Sequence, residues 1–370
     1  MKLLFAGDFC PINRIGEMSE HGDFSFFDEL KTLTCDVDLS VVNLECPLLD
    51  GKGFKPIDKV GPNLSANSAA AKAMVYAGFD VAALANNHIK DYGHDGVIST
   101  ISVLEQNGLA YVGAGRNIDE AGVPLLKNVA GKNVAIVNCC EHESSIADVS
   151  SAGANPIEPI RQYNQIRAAR EKADYVVVIT HGGIEKFPYP TIRMVDTYRF
   201  FIDAGADVVI NHHQHCYSGY EIYAGKPIFY GLGNLCFDIL SKQRQWAEGY
   251  MVELTISDGD TKFEIIPYEQ CFENKGVHLL EKTAFNSNLE MINKVISDRS
   301  SLSEILSKHF SGGGKGMQLL FEPYSSSFFV KLWWHKLLPS FFGKSKRKVL
   351  LNKIECESHR EKLLHYLRQE

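Results

Sequence analysis

The sequence lacks several features that assign a protein's class directly. No stretch approaches the roughly 18 uninterrupted apolar residues of a membrane-crossing helix. Its nine cysteines include no Cys-x-x-Cys pair, and nine is odd, which disfavours both a thiolate zinc site and a closed disulfide framework. Positive charge is not in excess. Thirty-eight Lys and Arg against 45 Asp and Glu leave a net charge of -7, so nucleic acid is not an expected partner. The glycine run Gly312-Gly313-Gly314-Lys315-Gly316 has no strand before it and no Ser or Thr after it, so it reads as a linker and not as a phosphate loop. Met1-Lys2-Leu3-Leu4-Phe5-Ala6-Gly7-Asp8 carries too short an apolar run for a signal peptide. A cytoplasmic chain, at most peripheral at the inner face of the membrane, is the expectation. What is present is ordinary globular composition, 45% hydrophobic and 22% charged, over 370 residues. That length suits one large domain with an appendage, or two domains.

Up to residue 240, short β-rich runs at 3–6, 39–43, 81–85, 134–138, 175–180 and 208–210 alternate with helical patterns at 65–77, 94–106, 156–172 and 191–204. Gly78 and Gly205 stand where helix C-termini need them. This alternation predicts an α/β domain with mainly parallel pairing. Later runs at 221–223 with 228–230, and 250–256 with 262–267 across Ser257-Asp258-Gly259-Asp260, read as antiparallel hairpins, a second sheet or a mixed edge. From about residue 277 the pattern turns helical. The expected division is a domain over 1–270, a helical extension over 271–323 and a tail over 324–370.

The tail is compositionally distinct. It holds ten Lys or Arg against four acids, a net +6, which leaves -13 for the rest of the chain. Phe328, Phe329, Trp333, Trp334, Phe341 and Phe342 precede the basic cluster Lys344, Lys346, Arg347 and Lys348. Aromatic rings beside a basic cluster suit an anionic membrane surface, but the favoured reading of residues 324–348 is a helix docking its Trp/Phe face on the main domain or on a protein partner.

Five polar clusters fall at or just past predicted strand ends: Gly7-Asp8; Asn43-Leu44-Glu45; Asn86-Asn87-His88 with Asp91; Thr180-His181 with Glu185; and His212-His213-Gln214-His215. Ligands of α/β sheets bind at the carboxyl ends of strands. Carboxylates, amides and imidazoles suit Mn, Zn or Fe without thiolate. Six such donors exceed one tetrahedral ion and fit two ions sharing a carboxylate, the arrangement that activates a water for displacement at phosphorus. His213 and His215 are spaced to face different ions.

Taken with Val42-Asn43-Leu44-Glu45-Cys46-Pro47-Leu48, Ala85-Asn86-Asn87-His88-Ile89-Lys90-Asp91-Tyr92-Gly93 and Tyr230-Gly231-Leu232-Gly233-Asn234-Leu235-Cys236-Phe237-Asp238, these clusters resemble the CapA family of capsule and poly-γ-glutamate synthesis proteins, within the calcineurin-like metallophosphoesterase superfamily. The match runs from Leu3 to about Asp238. The resemblance implies a four-layer α/β/β/α sandwich of the metallo-dependent phosphatase type, here with a helical C-terminal extension. It implies that Asp8 and His215 hold a first divalent ion, that Asn87, His181 and His213 hold a second, and that Glu45 bridges them. It places His88 beside the substrate as phosphate contact or general acid, with Asp91 orienting it. Asn43, Arg14 and Glu185 are the candidate substrate-binding residues. The implied activity is a metal-dependent hydrolase of capsule or surface-polysaccharide synthesis, cleaving a phosphoester. The same ions acting on a γ-glutamyl amide, or a catalytically silent assembly factor, are the alternatives. The substrate is a small molecule or polymer bearing phosphate or γ-glutamyl groups. Departures are Cys10 in place of the superfamily's first-motif His, Asn13 where the family has Arg, and Asn211-His212-His213-Gln214-His215 in place of a Gly-x-His-Pro-His turn.

Overall fold

The computed structural model describes residues 1–239, 243–257, 260–312 and 318–367. They divide into two compact units, Met1–Leu302 and Ser303–Glu370. The glycine run lies outside the described residues beyond Gly312, as do Asp258 and Gly259 of the second hairpin turn.

The first unit is a mixed α/β structure with two large sheets. The first sheet runs in the order Val277–Leu279, Asp260–Gln270, Glu248–Ser257, Lys2–Cys10, Leu39–Leu44, Val81–Ala83 and Ala110–Val112, with Asn234–Phe237 added beside the end of Lys2–Cys10. The second runs Tyr220–Tyr223, Lys226–Phe229, Val208–His212, Tyr175–His181, Lys132–Cys140 and Leu125–Val129. The six early strands predicted from sequence are all present, three in each sheet. Within each set of three the pairing is parallel.

Strand alternation explains how the sheets are covered. Leu3 and Phe5 join Val41, Val81, Ile136, Val177, Ile179, Val208 and Ile210 in one hydrophobic cluster drawn from both sheets. Leu4 and Ala6 point the other way, into a cluster with Phe27, Met74 and Leu104 on helical segments. Tyr175–His181 is buried along its whole length, the pattern of a central parallel strand.

Three of the four predicted helices begin later than their sequence patterns, while the fourth spans Gly93–Gln106. Ala69–Ala77 ends at Gly78 in a left-handed conformation, but residues 66–67 form a short strand with Leu48–Leu49. Pro159–Arg170 starts at Pro159, because Pro156 is bridged to Cys140 instead. Ile192–Ala204 is capped by Thr191, whose hydroxyl accepts from Met194 N. The late hairpins are mixed edges of both sheets and not a sheet of their own. Helix does not begin at 277: Val277 is buried and Val277–Leu279 pairs antiparallel with Asp260–Gln270, so the helix starts at Lys282. A β-edge with an unpaired ladder offered this segment more than an isolated helical turn does.

The second unit contains the helices Ser327–Trp334, Lys344–Glu355 and Glu357–Leu367. The last two pack against each other, and neither contains a buried residue. Among the described residues no helix is long and apolar enough to cross a membrane.

Candidate functional site

Every polar cluster singled out in the sequence, except part of the fourth, reaches one place. Asp8 lies near the end of Lys2–Cys10, Glu45 follows Leu39–Leu44, and Asn86-Asn87-His88 follow Val81–Ala83. From the second sheet, His181 and His212 end adjacent parallel strands and sit opposite each other in register. Asp8, Glu45, His181 and His215 are essentially inaccessible to solvent, and Asn87, His88 and His213 are buried.

Local backbone departs from regularity here for a reason. At Gly7 the strand register shifts, and a Cβ there would lie 2.0 Å from the Gly233 carbonyl oxygen, so only glycine lets the 231–234 turn approach. Asp8 N donates to that same carbonyl at 3.1 Å. His213 and His215 both take left-handed φ values, +91° and +54°. Such non-glycine conformations cost about 1–3 kcal/mol each and gather at functional sites. Gln214 between them donates to the Phe187 carbonyl at 2.9 Å, holding the turn where the family pattern uses proline.

Two groups of donors share one carboxylate. Asp8, Glu45 and His215 form one, and Glu45, His181 and His213 the other; within each, the donor atoms lie within 4.8 Å of one another. His181 Nε2 is 3.0 Å from Asn87 Oδ1, 3.1 Å from His213 Nδ1 and 3.4 Å from Glu45 Oε1. Ligand nitrogens about 2.0–2.1 Å from one tetrahedral ion stand about 3.3 Å apart, so this spacing fits a shared cation. His215 Nδ1 donates to Asn234 Oδ1 at 2.9 Å, which leaves Nε2 as an acceptor 3.6 Å from Glu45 Oε1. Asn234 is itself oriented by its Nδ2, which donates to the His215 and Trp246 carbonyls. The His215 ring lies 4.7 Å from that of Trp246.

The electrostatics point the same way. Neither Glu45 oxygen accepts a hydrogen bond from the described residues. Burial, reinforced by Asp8, pushes this carboxyl well above its usual range. Burial alone would also raise Asp8, but His212, His215 and the Asn43 amide outweigh it and hold the carboxyl below its usual range. Burial and the surrounding imidazoles depress His181 far below its usual value, and burial brings His215 to about 4. Both rings are neutral at pH 7, the state that ligates metal. Cys10 is buried, burial together with Cys46 raises its thiol well above the usual value, and it belongs to neither convergent donor group.

A second network adjoins the donors. His88 Nδ1 donates to Asp91 Oδ2 at 2.7 Å, which turns Nε2 away from the pair. Asp91 also accepts from Leu64 N at 2.7 Å and pairs with the Lys59 ammonium. Lys59 Nζ lies 3.3 Å from His88 Nδ1, and its side chain is almost fully buried. Asn86 Nδ2 donates to the Leu44 carbonyl, tying this turn to the residue before Glu45.

The three candidate substrate residues fall differently. Asn43 is buried beneath the donors and donates to Asp8 Oδ1 at 2.8 Å. Arg14 is engaged by Asp238 in a bidentate pair at 2.7 and 2.8 Å and by the Cys271 carbonyl at 3.0 Å. Glu185 is exposed, yet its charge bears on both Glu45 and His215. Sequence reasoning missed Lys59, Asn234 and Trp246, and gave no role to His212, whose Nδ1 lies 3.0 Å from Asp8 Oδ1. The His212-His213 run and the Gly-Asn of the 230–238 segment were signals for two of these. Lys59 lies in a loop with no pattern.

Comparison with known proteins identifies the family of the chain. The model of the family described as bacterial capsule synthesis protein PGA_cap matches residues 2–239. The capsule biosynthesis protein CapA of Bacillus anthracis is 37% identical over 247 residues, covering 64% of this chain and 60% of its own length. The PGA biosynthesis protein CapA of Bacillus subtilis (strain 168) is 29% identical over 72% of this chain and 70% of its own. A probable polyglutamine synthesis accessory protein of Mycobacterium tuberculosis is 34% identical over 43% of this chain and 45% of its own. The chain thus belongs to the PGA_cap family of bacterial capsule synthesis proteins, the CapA family that its strand-end motifs resemble.

Proposed function

We propose that this protein is a metal-dependent hydrolase that cleaves a phosphoester during capsule or surface-polysaccharide synthesis. The single observation that carries this reading is Glu45: a fully buried carboxylate without a hydrogen-bond partner among the described residues, common to two convergent donor groups. A buried, unpaired carboxylate is costly unless a cation compensates it. The residues present fit two divalent cations, Mn, Zn or Fe, with Asp8 and His215 on one, Asn87, His181 and His213 on the other, and Glu45 between. Such ions polarise a phosphoryl oxygen and lower the pKa of a bound water.

The chain's own groups complete the chemistry. Asn43 and His212 fix the orientation of Asp8, and Asn234 fixes that of His215. His88 presents Nε2 to a phosphate oxygen or to the leaving oxygen, and Asp91 holds the ring for that contact. Two carboxylates against two dications leave the site net positive, which suits an anionic substrate. The shared core between the sheets, with helical segments packed on the far side of the first, supports the α/β/β/α layering of metallophosphoesterases. Nine free cysteines fit a reducing, cytoplasmic setting.

A γ-glutamyl amide is the second reading. It is favoured by the names of the relatives, which refer to PGA and polyglutamine synthesis.

The test is elemental analysis of the purified, metal-reconstituted chain and of the His213→Ala, His215→Ala double variant, followed by phosphoester and γ-glutamyl substrate screens. About two ions per chain, lost in the double variant, with phosphoester turnover, is the expected result. Turnover of a γ-glutamyl polymer alone selects the second reading. No retained metal overturns both and leaves a non-catalytic assembly factor.

A further inference from the structure

Outside the site, the strongest unexplained feature is the corner where the aromatic and basic parts of the C-terminal unit meet. We propose that residues 318–355 form a docking surface for a bilayer rich in anionic lipid.

Glu322 builds this corner. It is buried, and its carboxylate accepts from Phe341 N at 2.7 Å, from Gln318 Nε2 at 3.2 Å and from the Ser340 hydroxyl. Tyr324 Oη donates to the Pro339 carbonyl at 2.6 Å, and the rings of Phe321 and Phe342 stack at 4.8 Å. Lys346 Nζ donates to the Phe321 carbonyl, and the Arg347 guanidinium lies over Phe342. These contacts hold the turn between the helices Ser327–Trp334 and Lys344–Glu355, so the rings and the basic cluster are kept together.

Trp333 is buried, but several other large apolar groups at this corner stay in solvent. Phe328 is 64% exposed, Leu337 69% and Phe341 59%, and Trp334 is half-exposed. Lys344, Lys346, Arg347 and Lys348 begin the next helix, none of whose residues is buried. Large exposed rings beside clustered cations mark an interaction surface. An acidic protein surface would account for the lysines but not for the rings. The headgroup layer takes both, because aromatic side chains partition to the interface and cations meet anionic headgroups. The net +6 of residues 324–370, against -13 elsewhere, directs the attraction to this end of the chain. The inference is independent of the hydrolase reading.

The experiment is co-sedimentation of the full-length chain with vesicles of phosphatidylcholine alone or mixed with phosphatidylglycerol. It compares wild type, a variant with Lys344, Lys346, Arg347 and Lys348 changed to Ala, and Phe328→Ser with Phe341→Ser. Thermal melting confirms that each variant folds, and light scattering reports oligomeric state. The expected result is binding only to phosphatidylglycerol vesicles, weakened by salt, and weakened about tenfold or more in the four-alanine variant. The serine variant should also bind more weakly. Three results would overturn the proposal. One is no sedimentation of wild type with anionic vesicles. Another is equal binding to both lipids, unchanged by the alanines. The third is self-association that the serine variant abolishes, which would make the corner an interface with a second copy.

Discussion

The two sheets meet at the site with different chemistry. The first contributes oxygen: Asp8, Glu45 and the Asn87 amide. The second contributes nitrogen: His181, His213 and His215. The oxygen side carries the formal charge, and burial penalises it where it has no partner, at Glu45. On the nitrogen side, burial and repulsion from neighbouring imidazoles keep His181 and His215 neutral. Neither side makes a complete cation site alone, since each donor group takes members from both. The difference teaches that the packing of one sheet on the other assembles the function, and that charge and lone pairs are supplied separately.

The sharpest way to break that division is at Glu45. Glu45→Gln should abolish metal retention and turnover together, because it removes the one charge common to both groups. The same change should stabilise the metal-free fold. Glu45 has a folded pKa raised above its unfolded value, so the wild type is relatively favoured below the unfolded value near 4.5 and loses that advantage as pH rises through the folded value. In chelator, the melting midpoint of Glu45→Gln should exceed that of wild type at pH 8, and the gap should shrink toward pH 4. A gap that grows toward acid would show that Glu45 is satisfied in the metal-free fold. Next in size, His213→Ala and His215→Ala should each lower metal content from about two ions to about one. Loss of both ions from either variant, by elemental analysis, would show that the two groups bind as a unit. The smallest effect is expected at Lys59, which touches neither donor group. Lys59→Met should lower turnover about 10- to 100-fold with metal content unchanged, as outer partners of site residues do, and Lys59→Arg should restore part of it. Metal loss in Lys59→Met would mean that the loop braces the donors and not His88.

Much of this site was legible in the sequence because strand-end donors are local signals. Asp8, Glu45, Asn87, His181, His213 and His215 each follow an apolar run, and the run itself predicts the strand that delivers them. The partition of the strands was not legible. Residues 3–6, 39–43 and 81–85 look no different from 134–138, 175–180 and 208–210, yet they form different sheets. The short edge at 277–279 was hidden because its pairing partner supplies the preference. Lys59 carried no signal because its meaning lies in Asp91, more than thirty residues on. Asn43 and Arg14 illustrate the converse: their residue types suit substrate, while the fold engages them with Asp8 and Asp238.

By itself, then, the sequence determined the inventory: which strands form, which donors stand at their ends, and that the last residues carry rings beside cations. Tertiary structure alone decided the rest. It split the strands into two sheets, aligned His181 with His212, brought Glu45 within reach of both donor groups, and drew Lys59 under His88. The reason is physical. Strand formation and side-chain chemistry are properties of neighbouring residues, whereas the distance between two donors depends on how buried faces pack, and that information is spread over the whole chain.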